Sequence, residues 1–119
     1  MPTLLHIHAG VVMNEYPLTE GSLRLGRGAD NDVRLDDGTV STHHAVVTVK
    51  PSPYMEGLLD VFVDDLGSTN GTTVNGAPVR HQRLRHDDVI RAGAHEFRLV
   101  EDGDQPYDST RIYLPETED

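Results

Sequence analysis

Ser41 and His44 lie in the run Ser41-Thr42-His43-His44, close enough for a hydroxyl nucleophile and an imidazole base. A second group, Leu66-Gly67-Ser68-Thr69-Asn70-Gly71-Thr72, gathers hydroxyls, a side-chain amide and backbone N–H groups at one loop tip. Gly71 after Asn70 permits the positive φ of a hairpin turn, and the Ser68, Thr69 and Asn70 side chains can bond nearby backbone. A plain hairpin needs only the Asn-Gly pair, so the Ser-Thr in front suggests a loop that also grips something polar; the alternative is an unusually polar hairpin. Nine of the ten cations are arginine, the side chain suited to forked contacts with phosphate. Arg27 stands between Gly26 and Gly28, and its simpler role would be an ion pair with Asp30 or Asp32. Seven histidines raise metal binding. His6 and His8 share a strand face, His43 and His44 point oppositely in a strand, and His81, His86 and His95 are scattered. No spacing matches a ligand signature, so strut and surface histidines are expected. The hydrolase reading of Ser41 and His44 lacks a Gly-x-Ser-x-Gly elbow and an oriented third member, which favours His44 as a buried, hydrogen-bonded strut.

The elements that would position these residues are short alternating runs separated by Gly, Asp, Asn and Pro. Strands are predicted at Leu4–His8, Ser22–Leu25, Asp32–Leu35, Ala45–Val49, 58–65, 73–74, Val89–Arg91 and His95–Val100, with a further short candidate at Pro78–Arg80. Val11–Met13 and Tyr16–Leu18 are expected to bracket a turn at Asn14-Glu15. No segment of helical length shows a 3.6-residue period, so the fold class is all-β, a sandwich or barrel whose strands each have one wet and one dry face.

The chain has 119 residues, enough for one domain with a modest core. It has no cysteine, and so no disulfide and no zinc-thiolate site. No apolar run approaches bilayer length and the start lacks the pattern of a signal peptide, so a cytoplasmic protein without membrane insertion is expected. Residues 1–100 hold 13 Asp and Glu against 9 Lys and Arg, a net of −4, whereas residues 101–119 hold 7 against 1, a net of −6. That balance argues against nucleic acid as a partner. It also divides the chain into a domain at 1–102 and an acidic tail at 103–119, mobile at its acidic ends, with Arg111–Leu114 able to dock. Thr110 and Thr117 in that tail are candidate phosphoacceptors, although a solubilising end is the simpler role.

Four stretches line up in order and spacing: Gly26-Arg27; Ser41-Thr42-His43-His44-Ala45; Leu66 to Thr72; and Val74-Asn75-Gly76. Between them, Leu23-Arg24-Leu25-Gly26-Arg27 followed by Asn31-Asp32-Val33-Arg34-Leu35, and Leu84, Asp88, Ile90, Gly93 and Phe97, continue the pattern. The ordered set resembles the forkhead-associated (FHA) domain, a phosphothreonine-peptide recognition module of Ser/Thr kinase signalling, from about residue 3 to about 101. The resemblance implies an eleven-stranded β-sandwich of two sheets, with peptide bound on loops at one end and the termini away from it. It also implies a binding protein, with no cofactor and no enzymatic activity. By the same resemblance Arg27 and Ser41 contact the phosphate, Thr69 completes the phosphothreonine pocket, and Asn70 holds the peptide main chain. Gly26, His44 and Gly71 shape the site. Two positions depart from the pattern. Thr42 stands where the family often has a base, leaving the site short of one cation that His43, Arg80, Arg83 or Arg85 would have to replace; a phosphate-independent interaction domain is therefore the alternative. Asp87 stands where glycine is common, which predicts a local backbone adjustment.

Overall fold

The computed structural model describes residues 2–101; Met1 and residues 102–119, with the tail expected at 103–119, lie outside the described residues. Among the described residues there are eleven strands and no helix. They are β1 (Thr3–His8), β2 (Val11–Pro17), β3 (Gly21–Gly26), β4 (Val33–Arg34), β5 (Ala45–Pro51), β6 (Leu59–Asp65), β7 (Thr72–Val74), β8 (Ala77–Val79), β9 (His81–Leu84), β10 (Val89–Ala92) and β11 (His95–Val100). One sheet has the order β2-β1-β11-β10-β7-β8 and the other β4-β3-β5-β6-β9. No helix among the described residues is long and apolar enough to cross a membrane.

Period-two patterning puts the core between the sheets. In β5, Ala45, Val47 and Val49 are buried while Val46 and Thr48 are less so, and Val47 and Val49 lie opposite the buried Val63 and Val61 of β6. The other sheet contributes Leu4 opposite Leu99 and Ile90 opposite Phe97, all fully buried. Each such side chain contributes about 1.5–3 kcal/mol by leaving water, against the entropy of ordering the chain.

Two expectations about strands are corrected. Asn14-Glu15 is no turn: β2 runs straight through it as an exposed edge strand, with a bulge where the register shifts between His6 and Ile7. The other is a strand the sequence reading did not include: the stretch that carries Arg83 is β9, an edge strand paired with β6, in which only Leu84 is buried. Asp87 does adopt a left-handed φ of 71°, the adjustment predicted there. Its backbone N–H reaches Leu99 O at 2.7 Å and its carboxylate accepts from Arg98 Nε at 3.2 Å.

The histidines are less scattered than expected. His95 of β11 meets His6 and His8 of β1: His6 Nε2 lies 2.8 Å from His95 Nδ1, and the His8 and His95 rings stack at 4.5 Å. His6 also stacks on Phe97 at 4.7 Å, and its Nδ1 is buried without a partner. Among the described residues no three His, Asp or Glu side chains are placed to hold a metal ion. Burial first, then the neighbouring His95 and His8, hold the His6 pKa below its ordinary 6.5. His95 is lowered by burial and by His8, with Asp37 pulling the other way. A folded pKa below the unfolded one means that the unfolded chain takes up more protons in between. The stabilisation is therefore complete above pH 6.5 and is lost as pH falls toward the folded values. The urea midpoint should drop between pH 7.5 and pH 5.5, and should drop less in His6→Leu; an equal drop in the variant would exclude this cluster as the cause.

Candidate functional site

Where β3 ends at Gly26, β5 begins and β6 ends, because Leu25 lies opposite Ala45 and Ala45 opposite Asp65. The connections 27–32, 35–44 and 66–71 therefore emerge together at one end of the sandwich. Pairing of Thr3 with Val100 puts the first and last strand ends at the other.

His44 is the strut that joins these connections. It is fully buried and both ring nitrogens are bonded: Nδ1 accepts from the Ser41 N–H at 3.0 Å and Nε2 donates to Gly71 O at 2.9 Å. Those two partners define the Nε2–H tautomer. The His44 N–H also reaches Leu25 O at 3.0 Å, and His44 O receives the Leu66 N–H at 2.9 Å. With its Nδ1 lone pair taken by a backbone amide and Nε2 spent on a carbonyl, the ring has no site left to accept a proton from Ser41 Oγ. The hydrolase arrangement of this pair is absent.

Ser41 Oγ instead accepts the Thr69 N–H at 2.9 Å. An oxygen that accepts this bond still has its own hydrogen to donate outward. Arg27 lies beside it, with its N–H on Ser41 O at 2.9 Å and its Nε on Val40 O at 3.0 Å. The simpler role, an ion pair with Asp30 or Asp32, is not seen among the described residues. Asp30 meets His43 Nε2 at 2.8 Å, Asp32 receives the Arg24 N–H at 2.7 Å, and both terminal nitrogens of Arg27 are without a partner among the described residues. His43 is thus already engaged.

Gly26 is buried because the chain passes close over it: a Cβ there would lie 2.3 Å from Thr42 O. That carbonyl accepts from Gly28 N at 3.1 Å and from Asn31 Nδ2 at 2.7 Å, which closes the 27–32 turn. The Thr42 side chain is exposed.

The 66–71 loop hangs on Asp65. Its carboxylate accepts from the Gly67 and Ser68 N–H groups at 3.0 Å each, from Ser68 Oγ, and from Thr72 Oγ1 at 2.7 Å. Burial pushes the Asp65 carboxyl up, but the hydrogen bonds from Ser68, Thr72 and Gly67 outweigh it and leave the pKa below the ordinary value. Gly71 has a φ of 88°, as its place after Asn70 predicts. Asn70 Nδ2 donates to Thr39 O at 2.9 Å, and its Oδ1 is without a partner among the described residues. Thr39 in turn gives its N–H and Oγ1 to Asp37 at 2.8 and 2.7 Å, and the other Asp37 oxygen receives the Ala94 N–H at 3.0 Å. These bonds, the one from Ala94 first, hold the Asp37 carboxyl far below the usual range.

The structure thus brings Arg27, Ser41, Thr42, Thr69 and Asn70 together around Gly26, His44 and Gly71. Of the proposed substitute cations, Arg80 lies at this end, where its carbonyl accepts the Asp65 N–H at 2.8 Å, while Arg83 pairs with Asp60 at 3.1 Å farther down the sandwich and Arg85 lies beyond it. Sequence reasoning missed Asp65, whose place three residues before Ser68 is an Asx-type turn signal. It also missed Asp37 and Arg34. Arg34 lies opposite Gly26 in the parallel β3–β4 pair and donates its Nε–H to Arg27 O at 3.2 Å.

An all-β sandwich with an arginine, an outward hydroxyl donor and an amide loop at one end is a binding module for an anionic, extended ligand. The chain belongs to the FHA domain family, whose sequence profile matches residues 23–93. It is 44% identical over 82 residues to the FHA domain-containing protein FhaA of Mycobacterium tuberculosis, a match that covers 69% of this chain and 14% of that protein. Among solved structures it is similar, at 38% identity and a TM-score of 0.68, to one from a study of phosphothreonine-dependent FHA domain interactions, covering 85% of this chain and 96% of that one. It is also similar to Mycobacterium tuberculosis EmbR in complex with a low-affinity phosphopeptide, at 34% identity and a TM-score of 0.67, covering 83% of this chain and 24% of EmbR.

Proposed function

We propose that this chain binds phosphothreonine-containing peptides and thereby couples a Ser/Thr kinase to the assembly of protein partners in the cytoplasm, without acting as an enzyme. The observation that carries this reading is the pairing of a hydroxyl with a hydrogen still to donate, Ser41 Oγ, with an arginine that has no carboxylate partner among the described residues. A phosphothreonine brings about −1.5 to −2 of charge and three strong acceptor oxygens. Arg27 offers two free terminal nitrogens to those oxygens and Ser41 a compact donor. Asn70 keeps one amide hydrogen and its oxygen for a peptide backbone, because only one N–H is spent on Thr39. Thr69 is anchored to Ser41 through its backbone and its side chain is exposed, so it would complete the phosphothreonine pocket.

The test is calorimetric titration with a degenerate phosphothreonine peptide pool and its unphosphorylated twin. Only the phosphorylated pool should bind. Arg27→Ala removes charged hydrogen bonds worth about 1.5–3 kcal/mol each, so affinity should fall by about 100-fold or more. Equal binding of both pools would replace this reading with a phosphate-independent surface, the alternative that Thr42 raises.

A further inference from the structure

We propose that Arg34 supplies the second guanidinium of the phosphate site; this rests on the phosphothreonine reading above. A phosphate of nearly two negative charges faces only one cation if Arg27 acts alone. Thr42 adds none, and His43 is held by Asp30 at 2.8 Å. Arg80 reaches this end through its backbone, bonded to Asp65 of β6, whereas the Arg34 side chain is bonded to Arg27 itself. β4 pairs in parallel with the end of β3, so Arg34 stands opposite Gly26, the residue before Arg27. Its Nε–H on Arg27 O, at 3.2 Å, ties the stem of one arginine to the backbone of the other. That bond uses a single donor and leaves the two terminal nitrogens without a partner among the described residues. No ion pair among the described residues involves Arg27 or Arg34, although the chain carries a net charge of −10. Through this bond two arginine side chains without an ion-pair partner among the described residues start from the same turn, and a dianion that both could reach would gain from each. Arg34 thus does electrostatically what a base at position 42 would do, from a neighbouring strand rather than from the Ser41 turn.

The experiment is calorimetry with two phosphothreonine peptide pools, one with neutral flanking residues and one with acidic flanks, on the wild type, Arg34→Ala, Arg34→Gln, Arg27→Ala and the double variant Arg34→Ala/Thr42→Arg. Arg34→Gln keeps a donor for Arg27 O and removes only the charge, which separates electrostatics from local folding. Both Arg34 variants should bind either pool about tenfold more weakly with an unchanged Tm, and should lose part of the salt dependence of affinity. Thr42→Arg should restore binding in the Arg34→Ala background, a rescue that a merely structural role for Arg34 does not predict. The proposal is overturned if Arg34→Gln binds the neutral pool as the wild type does while Arg27→Ala does not bind. It is equally overturned if the loss is confined to the acidic pool, since Arg34 would then read a flanking carboxylate. Wild-type affinity in Arg27→Ala, or no binding by the wild type, would instead remove the phosphothreonine reading and this inference with it.

Discussion

His44→Phe should lower stability by about 2–6 kcal/mol and leave little phosphopeptide binding, even though no atom of His44 is expected to touch a ligand. Phenylalanine fills the buried space and keeps the backbone bonds to Leu25 and Leu66. It removes both ring nitrogens, so the Ser41 N–H and Gly71 O are stranded at a fully buried ring. An orphaned buried group costs about 1–3 kcal/mol, which sets the range. For a domain of this size the Tm should fall by roughly 10 °C or more. Two smaller substitutions divide the effect. His44→Asn can place an acceptor near the Nδ1 position and keep Ser41 bonded, and His44→Gln can place a donor near the Nε2 position and keep Gly71 bonded. Each should recover part of the stability in urea melts. If His44→Phe melts with the wild type, the strut assignment is wrong.

The legible parts of this molecule were those encoded over short stretches. β5 and β6 show period-two alternation over residues 45–49 and 60–64, and that pattern admits one orientation once a face is dry. The Asn70-Gly71 turn follows from the φ that glycine allows. The turn expected inside β2 and the absence of any expectation for β9 share a reason. Both are edge strands with mostly exposed side chains, so burial imposes no alternation on them, and the polar pair Asn14-Glu15 imitates a turn. What escaped altogether was non-local. His6 and His95 meet because β1 pairs with β11 across 89 residues of sequence, which leaves no mark in local spacing. Arg34 joins Arg27 only because β4 returns parallel to β3 after a tight turn held by Asn31. The candidate ligand residues were legible as an ordered set of motifs, whereas the bonds that hold them (Asp65 to the 66–71 loop, Asp37 to Thr39, His44 to Gly71) were not.

Gly26→Ala should be the most damaging single-methyl change in the domain, costing about 3 kcal/mol and weakening phosphopeptide binding at least about tenfold. The new Cβ would lie 2.3 Å from Thr42 O, 2.8 Å from Asn31 Nδ2 and 2.9 Å from Asn31 Oδ1. The Asn31 atoms end a short side chain, but that amide is held in place by its bonds to Gly28 O and Thr42 O. Thr42 O is backbone, already accepting from Gly28 N and Asn31 Nδ2, and Asn31 is buried by those bonds. Relief therefore requires moving the 41–43 turn away from β3, which separates Arg27 from Ser41 and opens the phosphate site. Two other glycines serve as controls on the same methyl. At Gly71 nothing lies within 4 Å, but the φ of 88° makes an alanine strained by about 1–2 kcal/mol. At Gly38 there is open space and no left-handed backbone, so Gly38→Ala should be neutral. The expected order of urea midpoints is wild type and Gly38→Ala together, then Gly71→Ala, then Gly26→Ala. Should Gly26→Ala instead match Gly38→Ala in both midpoint and peptide affinity, the close passage of the 41–43 turn over β3 would not be what holds Arg27 and Ser41 side by side.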